Sequence, residues 1–177
     1  LTTGEGWLQT ALIDTTSADP TLRYAYFSCS HEFEGVIRIK LSDFTEDARV
    51  ATGITASAAA IDTVSATHYA YFGANTTIKR VNLSDFTTVD TLTLDNLGDS
   101  VWIQAAVIDT PASYTHYAYF ICQAASSPIY EDLPLRIYKI NLTTFLQDGD
   151  PLILNPTETD LSSIHGAVID DSDANPD

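Results

Sequence analysis

A single tetrapeptide constrains this chain more than anything else in it. Tyr24-Ala-Tyr-Phe27 returns as Tyr69-Ala-Tyr-Phe72 and as Tyr117-Ala-Tyr-Phe120. Each copy follows a small apolar run that ends in aspartate, and each precedes a segment that ends in Leu-x-x-Phe. The chain is therefore an array of one repeated unit. Its aspartates stand at 14, 62, 109 and 170, in steps of 48, 47 and 61 residues.

Each unit holds four short runs rich in Val, Ile, Thr, Tyr and Phe, separated by Asp, Ser, Thr, Gly and Pro, which is strand-and-turn composition. Helical periodicity is absent. A four-stranded unit of this length predicts an all-β fold of propeller-type, antiparallel blades. The units fall at 1–52, 53–99 and 100–160, the third lengthened by an insertion at 121–135, and a fourth opens at 161–177. Three complete blades plus one first strand are too few for even a four-bladed ring. The remaining blades are expected from an unseen part of the chain or from a neighbouring chain.

Alternation is clearest in the third strand of each unit. Ile37, Ile39 and Leu41 share a face, as do Lys79, Val81 and Leu83, and then Tyr138, Ile140 and Leu142. Arg38, Arg80 and Lys139 coincide on the opposite face. The denser first strands, such as Ala105-Ala-Val-Ile108, read as strands near the axis, buried on both sides. The aromatic pairs of Tyr-Ala-Tyr-Phe are expected between blades.

Composition narrows the function. The 177 residues carry 24 acids against 8 bases, a net charge of −16, with 45% apolar residues. That is a folded composition. Its charge argues against nucleic acid, whose phosphates demand Lys and Arg, and against anionic membrane surfaces. No apolar run approaches the roughly eighteen residues a membrane helix needs. The chain opens at Leu1, contains no Met and shows no signal-peptide pattern, which reads as a mature product or a segment of something longer.

The pattern Ala-x-Ile-Asp, Tyr-Ala-Tyr-Phe-Gly, Ile-x-Arg-Val-x-Leu-Ser-x-Phe, Leu-Thr-Leu resembles a propeller repeat of large secreted and surface proteins of protists. There it occurs in long tandem arrays, including proteins related to the tubular flagellar hairs (mastigonemes) of stramenopiles. It resembles the NHL and YVTN blades more distantly. It departs from WD40 and kelch repeats, lacking a Trp-Asp strand end and a Gly-Gly doublet. The resemblance implies an extracellular structural or adhesive role and carries no catalytic residues; the missing blades point to a fragment or to a protomer that self-associates into an oligomer or filament.

Three sequons, at Asn75, Asn82 and Asn141, are candidate N-glycan sites. The alternative is that Asn82 and Asn141 simply precede a turn, as Lys40 does. No other cofactor is expected. The tail Asp170-Asp-Ser-Asp-Ala-Asn-Pro-Asp177 offers Asp171, Asp173 and Asn175 as calcium ligands, but Pro176 replaces the glycine such a loop uses. A solvated acidic connector is the simpler reading. The recurrent aspartates 14, 62, 109 and 170, with Asp43 and Asp85, suit turn caps better than acid–base pairs, since recurrence in every unit favours structure.

His68 and His116 are equivalent, and adjacent-blade equivalents stand too far apart to share zinc. Arg38, Arg80 and Lys139 are expected to pair with carboxylates. Cys29 and Cys122 occupy equivalent positions in non-adjacent units and read as buried free thiols. Their pairing between subunits stays open. The chain is thus expected to be a non-enzymatic, glycosylated extracellular structural protein. The rival is a glycan- or protein-binding propeller that uses the third unit's insertion, around 124–135.

Overall fold

In a computed structural model of the chain, residues 5–31, 33–87, 89–95, 101–109, 115–124, 135–154 and 166–168 are described. The first sheet comprises β1 (Glu5–Asp14), β2 (Tyr24–His31), β3 (Gly35–Lys40) and β4 (Thr45–Ala51). The second comprises β5 (Ala58–Asp62), β6 (Tyr69–Ala74), β7 (Thr77–Asn82) and β8 (Val89–Thr93). The third comprises β9 (Val101–Asp109), β10 (Tyr117–Ala124) and β11 (Leu135–Asn141), with β12 (Leu146–Gln147) and β13 (Leu152–Leu154) both paired to β11. Each sheet is a sequential antiparallel meander. The fold is all-β and blade-built, as the repeat predicts.

The repeat is also a repeat of register. Tyr24 lies opposite Asp14 and Lys40, Tyr69 opposite Asp62 and Asn82, and Tyr117 opposite Asp109 and Asn141. A one-residue slip would send every aromatic to the wrong face, so the motif and the pairing specify each other. The first strand of the second blade neighbours both other first strands, β1 on one side and β9 on the other. The sheets fan side by side, and among the described residues they do not close into a ring.

Because side chains alternate across a strand, one Tyr-Ala-Tyr-Phe segment serves two cores. Ala70 and Phe72 face the first blade, packing with Tyr26, Val36, Val81, Leu83 and Phe86. Tyr71, with Tyr69 against it, faces the third blade and packs with Ile103, Phe120, Ile140 and Phe145. The small Ala between the aromatics lets the neighbouring sheet approach. Gly73 continues that device: a Cβ there would meet Ile103 Cγ2 at 2.9 Å.

Several boundaries differ from the sequence reading. Ile121–Ala124 continue β10 and Leu135 begins β11, so five residues assigned to the insertion are strand. The rest of it, 125–134, lies outside the described residues. In the third unit the outer strand is split, because the chain turns at Gly149, whose φ is +79°, between β12 and β13. The first strands are not buried on both sides throughout. In β5 burial alternates, while Ile13 and Trp102 are more than half exposed. Of the fourth unit only 166–168 are described; they form no strand.

Candidate functional site

The chemistry-bearing residues converge on the junctions between blades, and the junctions are near-copies. Each begins at the turn after the third strand. There Phe44, Phe86 and Phe145 adopt φ of +56°, +52° and +53°. Phe86 N–H donates to the Asn82 carbonyl at 2.9 Å and Phe145 N–H to that of Asn141 at 2.8 Å. A left-handed backbone costs a bulky residue about 1–2 kcal/mol. Burial of the ring offsets it: Phe86 is 3% exposed and Phe145 6%. At Phe86 and Phe145 the turn throws the ring backward onto the preceding blade.

It lands on an arginine. The Arg38 guanidinium carbon lies 4.8 Å from the Tyr24 ring centroid in its own blade and 4.7 Å from Phe86 in the next. Arg80 repeats this between Tyr69, at 4.7 Å, and Phe145, at 4.4 Å. Both arginines reach the next blade's backbone, at the carbonyls of Leu83 and Leu142. Both pair within their own sheet, Arg38 with Asp47 at 2.5 Å and Arg80 with Asp90 at 2.6 Å. A planar cation can stack on two rings and still use its edge donors. Lys139 has the same lower half, over Tyr117 at 3.8 Å and 3.0 Å from Asp148. The carboxylate pairing expected of Arg38, Arg80 and Lys139 is present; the aromatic sandwich is not visible in the strand pattern.

A second link joins the inner ends of the blades. Asp14 meets His68 at 3.5 Å and Asp62 meets His116 at 3.6 Å, in each case across a junction. The aspartates also cap their own turns, as expected. Asp14 accepts from Thr16 N at 2.9 Å, and Asp62 from Val64 N at 3.0 Å and Ser65 N at 3.2 Å. Burial pushes the Asp62 carboxyl upward, but the Ser65 and Val64 hydrogen bonds and the His116 charge outweigh it, leaving the group below its ordinary range. Asp14 behaves alike, with Thr16 and His68 overcoming burial. The histidines thus face carboxylates rather than each other. Asp and His stand 54 residues apart in both pairs, a signal the sequence carries.

Around the second junction lies a cleft of about 310 Å³, lined by Asp62, Ser65, Thr67, Tyr69, Arg80, His116, Leu142 and Thr143. Its Ser, His and Asp are not arranged as a nucleophilic triad. Ser65 Oγ donates to Asp62 Oδ2 at 2.5 Å, and both approach the same ring nitrogen, His116 Nδ1, Ser65 at 3.3 Å and Asp62 at 3.6 Å. A relay needs serine and aspartate on opposite nitrogens. The arrangement braces a junction.

Asn75 sits exposed in the β6–β7 turn with φ of +50°. Asn82 and Asn141 are half-buried turn caps, Asn82 accepting from Ser84 N at 2.9 Å and Asn141 from Thr143 N at 3.0 Å. These bonds use the carboxamide oxygen rather than the nitrogen a glycan would take. Cys29 and Cys122 are both buried and are not joined to each other. Asp170, Asp171, Asp173 and Asn175 lie outside the described residues, as does His165.

No family model matches the chain, and no curated protein matches it. Several solved structures are similar, among them the following two. Kuenenia stuttgartiensis hydrazine synthase aligns with a TM-score of 0.53 at 13% identity, over 76% of this chain and 34% of that one. The dihydro-heme d1 dehydrogenase NirN in complex with DHE aligns with a TM-score of 0.52 at 15% identity, over 82% of this chain and 28% of that one. The chain spans about a third or less of the structures it matches. At such identities the shared feature is the β-sheet fold, not a site.

Proposed function

We propose that this chain is a non-enzymatic, propeller-repeat subunit of an extracellular filament or matrix assembly, of the kind its repeat resembles in tubular flagellar hairs. One observation carries the reading: its Asp, His and Arg candidates at the junctions are engaged in holding one blade to the next, in two copies. A catalytic site breaks repeat symmetry, whereas a building unit repeats it. The acidity and the three sequons suit a glycosylated surface protein that collects cations and repels nucleic acid. Further blades, from another part of the chain or from a neighbouring copy, would complete what the three sheets lack among the described residues.

Electron microscopy of the native material, with intact mass on the same sample, tests this. Ordered polymers carrying sugar-sized mass increments are expected. A dispersed, unmodified monomer sinks the reading. One feature favours a second reading, a carbohydrate-binding module: the junction cleft places Tyr69 and Arg80 beside Ser65, Thr67 and Thr143. Saturable glycan binding lost in Tyr69→Ala would establish it.

A further inference from the structure

Resting on that assembly reading, we propose that the face of the third blade left uncovered among the described residues receives the first blade of a second copy of this chain, through the same clasp that joins the blades within it. Equivalent positions carry the argument. Phe86 and Phe145 are 3% and 6% exposed at the inner junctions, whereas Phe44, on the same turn with the same left-handed φ, is 81% exposed. Its strain has no compensating burial among the described residues. Leu83 and Leu142 are buried, while Leu41 is only half-buried. The opposite face mirrors this. Tyr26 and Tyr71 are buried and their equivalent Tyr119 is half-buried, as is Ile137 where Val36 and Ile78 are buried.

The two open faces are chemical complements. Lys139 is stacked below by Tyr117 and held by Asp148, as Arg80 is by Tyr69 and Asp90. Phe44 is the ring such a cation takes from the following blade. Asp109 occupies the position of Asp14 and Asp62, each of which meets a histidine of the next blade. In the first blade that histidine is replaced by Arg23, a permanent cation. The junction between copies therefore puts Lys139 over Phe44 and Asp109 against Arg23. The contact uses two different faces, so copies add head to tail.

Sedimentation velocity of the 177-residue chain across a concentration series tests this. Self-association is expected in the unaltered chain. Phe44→Asn keeps a left-handed turn, removes the ring, and weakens association by about tenfold or more, as loss of an interface anchor does. Arg23→Asp and Asp109→Arg each weaken it alone, and a one-to-one mixture of the two restores it, since each then meets its opposite charge across every contact. Circular dichroism and melting of each variant confirm folding. Association that ignores Phe44→Asn, with no restoration in the mixture, overturns this docking mode and leaves the assembly reading standing. A wild-type chain that stays monomeric at every concentration, and forms no polymer in the microscope, overturns both.

Discussion

The Arg80 guanidinium carbon stands 4.4 Å from the ring centroid of Phe145, across a junction between sheets whose residues are 65 positions apart in the chain. With Tyr69 on its other side and Asp90 at its edge, Arg80 is a pin through two blades. Arg38 pins the preceding pair in the same way.

If stacking matters, lysine cannot replace that pin. Arg80→Lys keeps the charge but loses the planar double stack and the second edge donor, at a cost of about 1 kcal/mol, and Arg80→Ala costs about 2 kcal/mol. Urea unfolding midpoints measure both. Equal midpoints for wild type and Arg80→Lys would reduce the stacked geometry to incidental contact.

The left-handed phenylalanines separate strain from burial. Phe86→Asn and Phe145→Asn empty a core and cost about 3 kcal/mol. Phe44→Asn, measured where the chain is monomeric, removes strain with almost no burial to lose and leaves stability unchanged or raises it by up to about 1 kcal/mol. The same substitution thus has opposite signs at equivalent turns. A large loss at Phe44 would mean the ring is already covered within the chain.

Acid weakens the inner latches. Asp14 and Asp62 titrate below the ordinary aspartate value of 3.8 in the folded chain. A folded value below the unfolded one gives stability that is full above the unfolded value and lost as pH falls through the folded one. Unfolding free energies measured from about pH 6 down to about pH 2.5 are expected to hold steady and then fall below about pH 4. Asp14→Asn with Asp62→Asn lowers the plateau and flattens the fall. An unchanged slope in the double variant would place the acid-sensitive groups elsewhere.

The thiols report on blade opening. Burial pushes Cys122 up to about 12, and Cys29 is fully enclosed. Thiolate is the reactive form, so a thiol reagent near neutral pH should label neither residue in the native chain and both in denaturant. Rapid native labelling would show that the sheet edges open well below the global unfolding threshold.

Much of the fold is legible in the chain. Three copies of one tetrapeptide, with alternating third strands, fix which residues pair and which face they take, because register and side-chain period are local properties. The turn caps at Asp14 and Asp62 are legible for the same reason, as each bonds its own backbone two or three residues on. The first strands read less well. Their apolar density suggested burial on both sides, yet Ile13 and Trp102 are largely exposed, because burial depends on what stands opposite.

By itself, then, the sequence determined the blade: four strands, their order, and an aromatic on each face of the second. Only the tertiary structure decided what meets what between blades. Alternation places Arg38 on a face but does not name Phe86 as its lid, and equivalence aligns His68 with His116 without pointing either at an aspartate. Those contacts depend on the distance and rotation between neighbouring sheets, set by long-range packing of Phe72 on Tyr26 and of Phe120 on Tyr71. The same geometry exposes Phe44, a residue indistinguishable from Phe86 by its local sequence, because nothing among the described residues stands where an arginine of a preceding blade would be.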